Sequence, residues 1–327
     1  MKIFLGGETA RNILRWKKGP TKTSRTKGPT AKDAPSKAQA DTVLDNLDTL
    51  CLTEAQLTHI QSHPLNLIVS SEKQRRGLRN VVCRSIGAPL PASSFCTSGI
   101  ENIYVASAEL CFLQYASEAT FEELVCYGYE ICGTYALDPY NEKGFIPNRP
   151  QLTTPAALST FLGKMEGVSG VKRARSALKW IRPLSASPME TKTTLLFCLP
   201  LSKGGFSLPM PKLNDTVCAT DSLGKKSFFK CDLAWPDKHV AVEYDSDMFH
   251  SEDRKRAKDA NRRILLEQSG LHVVSLKRAQ VLNANMFREA AFLVAKYLGK
   301  RIQIKRSDWM MRNYLLRKSF FSATQRL

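Results

Sequence analysis

The sequence predicts a mixed α/β (α+β) protein in two domains, on three observations. Its 327 residues are about twice a typical domain of roughly 150. An apolar fraction of 43% beside a charged fraction of 24% is that of a chain with cores to bury. β-rich runs and capped helical runs then alternate along most of its length.

The first 41 residues read as a basic N-terminal segment and flexible linker. "KKGPTKTSRTKGPTAKDAPSKAQAD", from residue 17 on, has almost no large apolar side chain, so it reads as a solvated basic arm. Residues 42–183 read as an N-terminal α/β domain suited to targeting or partner binding. Thr53 with Gln56, and Thr120 with Glu123, are capping-box pairs that start helices. Ser107 and the pair Thr154–Pro155 mark two more helix starts. "PLNLIVSS" and "IENIYVAS" read as strands between them. The glutamates of this half (Glu109, Glu118, Glu122, Glu123, Glu130) are explained by helix-surface charge.

A second boundary falls near "WIRPLSASP". After it come a helix ("METKTTLLFCL"), a Gly/Pro/Lys loop, a hairpin ("FFKCDLAW" and "VAVEYD" about Pro236–Asp237–Lys238), and a polar helix from about Ser251 to Gln268. A strand ("LHVVSL") and a helix ("VLNANMFREAAFLVAKYLG") follow. Residues 184–300 thus read as a further domain, and 301–327 as a basic, aromatic tail.

The charge narrows the function. A formal net charge of +18 points to a polyanionic partner, above all nucleic acid. No stretch approaches the roughly 18 apolar residues of a membrane span. "MKIFLGGETARN" is too short in its apolar run for a signal peptide. A soluble, cytoplasmic protein is expected. The nine cysteines include no C-x-x-C and no Cys/His cluster with zinc-ligand spacing, so they read as reduced core residues.

The hairpin holds the chemistry. Acids inside apolar strands are costly unless paired. A four-residue loop, Pro236–His239, pairs Trp235 with Val240, and counting back sets Asp232 opposite Glu243 and Lys230 opposite Asp245. Opposed carboxylates call for a cation, and hard oxygen ligands suit Mg²⁺, or Mn²⁺. A charged, solvated hairpin edge is the other reading of these residues.

Asp232-Leu-Ala-Trp-Pro, then Glu243-Tyr-Asp245, His250, Asp259-x-x-Arg262 and Gly270-x-x-Val-Val together resemble the very-short-patch-repair (Vsr)-like branch of the PD-(D/E)xK nucleases. The resemblance covers about residues 184–300. It implies a restriction-endonuclease-like core, a central mixed sheet flanked by helices, in which Asp232 and Glu243 bind Mg²⁺. It implies a nuclease acting on DNA ahead of RNA, in phage defence, repair or a mobile element. Asp245 stands where the family pattern has lysine; Lys230 from the neighbouring strand, or His250 as acid or base, is the expected replacement. Glu190 is explained as the N3 residue of a capping box with Ser187, and it also matches a family glutamate that reaches the metal. Arg262 fits the family's D-x-x-R position, with Arg254, Arg256 and Lys258 as further phosphate contacts. The first half is similar, in element order around "IYVASAELCFLQYAS", to the C-terminal part of AbiEi-type abortive-infection antitoxins. The competing expectation is an inactive nuclease fold kept as a nucleic-acid-binding regulator.

Overall fold

A computed structural model describes the chain except for residues 1, 19–21, 25, 27, 34, 75, 76, 221–223, 246–261, 263 and 323–327. It divides into two compact units, Met1–Ile181 and Arg182–Leu327. Both combine helices with sheet, so the chain is α/β.

The first unit is built on β1 (Ile3–Leu5), α1 (Gly7–Trp16), α2 (Lys37–Asp45), α3 (Glu54–Ser62), β2 (Leu65–Val69), β3 (Val81–Ser85), β4 (Phe95–Thr97) and β5 (Ile103–Ala106). Then come α4 (Ala108–Tyr115), α5 (Phe121–Cys132), β6 (Ala136–Leu137), β7 (Phe145–Ile146), α6 (Pro155–Gly163) and α7 (Val171–Leu178). A five-stranded sheet runs in the order β3-β2-β1-β5-β4, with β1 parallel to β5 and β2 parallel to β3. The expected capping boxes at Thr53 and Thr120 form, as do the caps at Ser107 and Thr154.

Setting residues 1–41 apart is corrected here. Ile3, Phe4 and Leu5 are buried as the middle strand of the sheet, and Thr23 bridges to Cys96 at its edge. A three-residue strand is too short to show a period, which is why composition misled. The helix-surface explanation also fails for Glu130. It is 1% exposed, and its carboxylate accepts from Nε and Nη2 of Arg15 at 2.8 and 2.9 Å.

The second unit opens with α8 (Pro188–Cys198), followed by β8 (Lys212–Thr220), β9 (Lys226–Trp235), β10 (Val240–Asp245) and β11 (His272–Lys277). These strands form one mixed sheet, β11-β10-β9-β8, with β10 parallel to β11 and the other pairs antiparallel. β8 occupies part of the expected loop; Asn214–Asp215 inside "KLNDTVCAT" interrupts the alternation that would have announced a strand. Residues 262 and 264–268 are helical, and Leu266 packs with Cys231, Ala234, Ala241 and Val273 in one core cluster. The helix expected over 281–299 is two, Arg278–Leu282 and Ala284–Tyr297, broken where the Asn283 side chain caps the second. The tail is no appendage: helix Trp309–Phe321 buries Trp309, whose Nε1 donates to the Gly205 carbonyl at 3.0 Å. Gly204 makes room for it, since a Cβ there would lie 2.5 Å from the Arg312 carbonyl oxygen.

Candidate functional site

The hairpin closes through a single 3₁₀ turn, Pro236–Lys238, and His239 in the left-handed region (φ 53°). Trp235 pairs with Val240, Ala234 with Ala241 and Leu233 with Val242, the register a four-residue loop dictates. One step further the expectation breaks down. Asp232 is not cross-paired with Glu243; its Oδ2 accepts the backbone N–H of Tyr244 at 2.7 Å. The other neighbour of β9 is irregular at the same level. Leu213 pairs with Leu233 and Asp215 with Cys231, but between them Asn214 takes a positive φ of 49° and the ladder skips a step. The register is the same on both sides of it, and Cys231 and Ala234, three apart on β9, sit in the same core cluster.

The two acids have different neighbours. Glu243 keeps company with Cys231, to whose thiol it hydrogen-bonds, and with Arg262, whose Nη2 donates to Glu243 Oε1 at 2.9 Å. Arg262 also donates to the Lys230 carbonyl and lies over the Phe229 ring, 5.7 Å from its centroid. Asp232 keeps company with Glu190. Burial raises the Asp232 pKa, against the pull of the Tyr244 N–H and of Arg262.

Glu190 is 6% exposed near the start of α8. Its N–H donates to Ser187 Oγ at 3.1 Å, half of the expected capping box. Its carboxylate does not complete the box but accepts from the Ala186 N–H at 2.8 Å and from Asn214 Nδ2 at 2.7 Å. Burial, and then the charge of Asp232, push its pKa up to about 7.

The remaining expected residues divide. Lys230 and Asp245 are both exposed but do not meet: Lys230 pairs with Thr216 on β8 and Asp245 with Lys277 on β11, because the β9–β10 ladder ends at Leu233–Val242. That opposition is corrected. His250, Arg254, Arg256 and Lys258 lie outside the described residues. Glu190, Asp232 and Glu243 do not gather their carboxylate oxygens within 4.8 Å of one another, so the expected three-carboxylate set is split two and one.

No family model, curated protein or solved structure matches this chain. Its site is therefore read from its own atoms.

Three residues of the site went unread in the sequence: Asn214, Tyr244 and Cys231. Asn214 had a signal, since an Asn-Asp pair tolerates a left-handed backbone and so marks a break inside a strand. Tyr244 acts through its backbone and Cys231 as a small core residue, roles that leave no motif. Together these groups can hold a buried and a half-buried carboxyl group side by side and keep a third ion-paired nearby.

Proposed function

We propose that residues 184–300 are a Mg²⁺-dependent nuclease domain of the Vsr-like, restriction-endonuclease-like kind, hydrolysing phosphodiester bonds in DNA ahead of RNA, with Mn²⁺ an acceptable substitute. The Glu190–Asp232 pair carries this reading. A buried carboxyl group beside a half-buried one, each with its pKa raised by burial and Glu190 further by the charge of Asp232, is costly as a pair of anions, and a hard cation between them offsets that cost. The donor set fits: both groups are carboxylates, hard oxygen donors of the kind Mg²⁺ takes, and hydrogen bonds to Glu190 Oε2 and Asp232 Oδ2 hold them in place. Asp232 and Glu190 would hold it, and Glu243 is a third donor once it gives up Arg262. A bound ion would lower the pKa of a water and offset charge on the scissile phosphate.

The other residues position this pair. Asn214 Nδ2 and the Ala186 N–H orient Glu190, and the Tyr244 N–H fixes Asp232 against rotation. Arg262 balances the carboxylate charge and is placed to contact phosphate. The net charge of +18 supports a polyanionic substrate, and the mixed sheet behind α8 supports the nuclease reading. Defence, repair and mobile-element roles all suit such an enzyme, with the first unit choosing target or protein partner.

One observation favours the second reading, a nucleic-acid-binding regulator without activity. Glu243 is committed to Arg262, and Lys230 is not the cross-strand partner of Asp245. The test is cleavage of labelled DNA and RNA panels with Mg²⁺, Mn²⁺ or EDTA, by the wild-type chain and by Asp232→Ala, Glu190→Ala and Glu243→Ala. Metal-dependent cutting lost in the first two variants is expected. Binding without cutting in every metal, untouched by the substitutions, leaves the regulator.

A further inference from the structure

A second cluster of ligand-type side chains lies in the first unit, far in sequence from the hairpin. Glu8, His59 and His63 each present one ligand atom, and these atoms lie within 4.8 Å of one another. His59 and His63 are four apart at the C-terminal end of α3, a spacing that stacks side chains on one helix face. Their rings are stacked with centroids 4.3 Å apart. Glu8 comes from the first turn of α1, and among the described residues its carboxylate makes no hydrogen bond or ion pair.

The hydrogen bonds around the two rings decide which nitrogens are available. His63 Nδ1 lies 2.8 Å from the His59 backbone carbonyl, which can only accept, so Nδ1 carries the proton and a neutral His63 has its lone pair on Nε2. His59 Nδ1 is taken up by the Tyr140 hydroxyl at 2.9 Å, which leaves its Nε2 as the ligand atom. A ring whose far nitrogen is hydrogen-bonded is the usual form of a metal-binding histidine. Tyr140 is itself held: its N–H donates to Asp138 Oδ1 at 3.0 Å, and Gln56 Nε2 on α3 donates to Asp138 Oδ2 at 2.8 Å. Trp16 packs edge-on against His59, with ring centroids 5.3 Å apart. His59 is buried, Glu8 half-buried and His63 exposed, so the cluster opens to solvent on one side.

We propose that Glu8, His59 and His63 form a divalent transition-metal site, with Zn²⁺ as its ion. Two imidazole nitrogens and one carboxylate oxygen are a zinc donor set, and solvent fills the fourth position. Tetrahedral ligation brings ligand atoms to roughly 3.3 Å of one another, so the exposed His63 ring turns out of its stack on His59 to point its lone pair at the shared ion, and Glu8 rotates to meet it. Tyr140 is a positioning residue that orients His59. The site is independent of the hairpin carboxylates, whose all-oxygen donors suit a harder ion.

The test is Zn²⁺ titration of the metal-free full chain by calorimetry, with Co²⁺ as a spectroscopic stand-in. One ion per chain is expected, with a Co²⁺ spectrum free of thiolate charge-transfer bands. Glu8→Gln and His63→Ala each weaken it on the order of a hundredfold, and Tyr140→Phe by about tenfold. Glu243→Ala leaves it unchanged. Circular dichroism checks the fold of each variant, and the exposed His63 gives the substitution that disturbs it least. Failure of the wild-type chain to bind overturns the proposal. So does binding indifferent to both ligand substitutions, or a thiolate spectrum, either of which assigns the ion to cysteines.

Discussion

Asp232 on β9 accepts a hydrogen bond from the backbone N–H of Tyr244 on β10, at 2.7 Å. A side-chain carboxylate thus takes the place of a strand carbonyl where the β9–β10 ladder ends, and the acid is anchored to backbone. Asp232→Asn keeps an acceptor for that N–H but removes the charge. The expected outcome is a folded variant with an unchanged melting temperature at pH 7 whose cutting of labelled DNA falls on the order of a hundredfold. Asp232→Ala also orphans the N–H and costs about 1–3 kcal/mol in urea unfolding.

Glu190 makes stability depend on pH in a definite direction. Its folded pKa of about 7 lies above the ordinary 4.5, so the folded state keeps a proton that the unfolded chain has released. Its contribution is complete below about pH 4.5 and is lost as pH rises through 7. Glu190→Gln removes that falling limb, and above pH 8 the variant is more stable than wild type by on the order of a few kcal/mol. Mg²⁺ is expected to raise the wild-type melting temperature at pH 8 and to do so far less at pH 5. Melting curves at both values, with and without the ion, check this.

The hairpin was legible because turn length determines register, and Trp235–Val240 follows from four loop residues alone. The pairing of Asp232 with Glu243 was not, because the β9–β10 ladder ends at Leu233–Val242 and the Asp232 side chain takes the Tyr244 N–H. Register propagates only while every residue keeps its alternation. Capped helices such as α3 and α5 were readable from Thr53 and Thr120, since a cap is a local bond. β1 was not, since three residues become the centre of a sheet only through partners about 60 and 100 positions away, Leu67 and Ile103–Val105. The Glu8–His59–His63 cluster escaped for the same reason. Its two histidines are visible as a pair four apart, but the carboxylate arrives from another helix.

Glu130 and Arg15 form the deepest ion pair described in the first unit, with the Leu137 N–H adding a third bond to the carboxylate at 3.0 Å. Against the opposing effect of desolvation, Glu130 holds the guanidinium pKa of the largely covered Arg15 above its usual value. Glu130→Ala leaves that cation buried without its partner, which costs about 3–5 kcal/mol. The expected readout is a lower urea midpoint for the transition of the first unit. Replacing both residues, Arg15→Met with Glu130→Leu, recovers most of the loss, because apolar groups need no counter-charge.

Arg262 decides what Glu243 is free to do. Its Nη2 donates to Glu243 Oε1 at 2.9 Å, with both side chains only partly covered. A double-mutant cycle of Glu243→Gln and Arg262→Met is expected to give a coupling energy of about 1 kcal/mol, at the modest end because solvent screens the pair. Losing the arginine also removes one competitor of the ion for the Glu243 carboxylate. Arg262→Met is therefore expected to tighten Mg²⁺ binding severalfold while weakening DNA binding and flattening its salt dependence, as one phosphate contact is lost. Calorimetry with Mg²⁺ alone separates the two effects. Mg²⁺ affinity indifferent to Arg262 makes Glu243 a charge partner rather than a ligand, and leaves Glu190 and Asp232 as the pair that holds the metal.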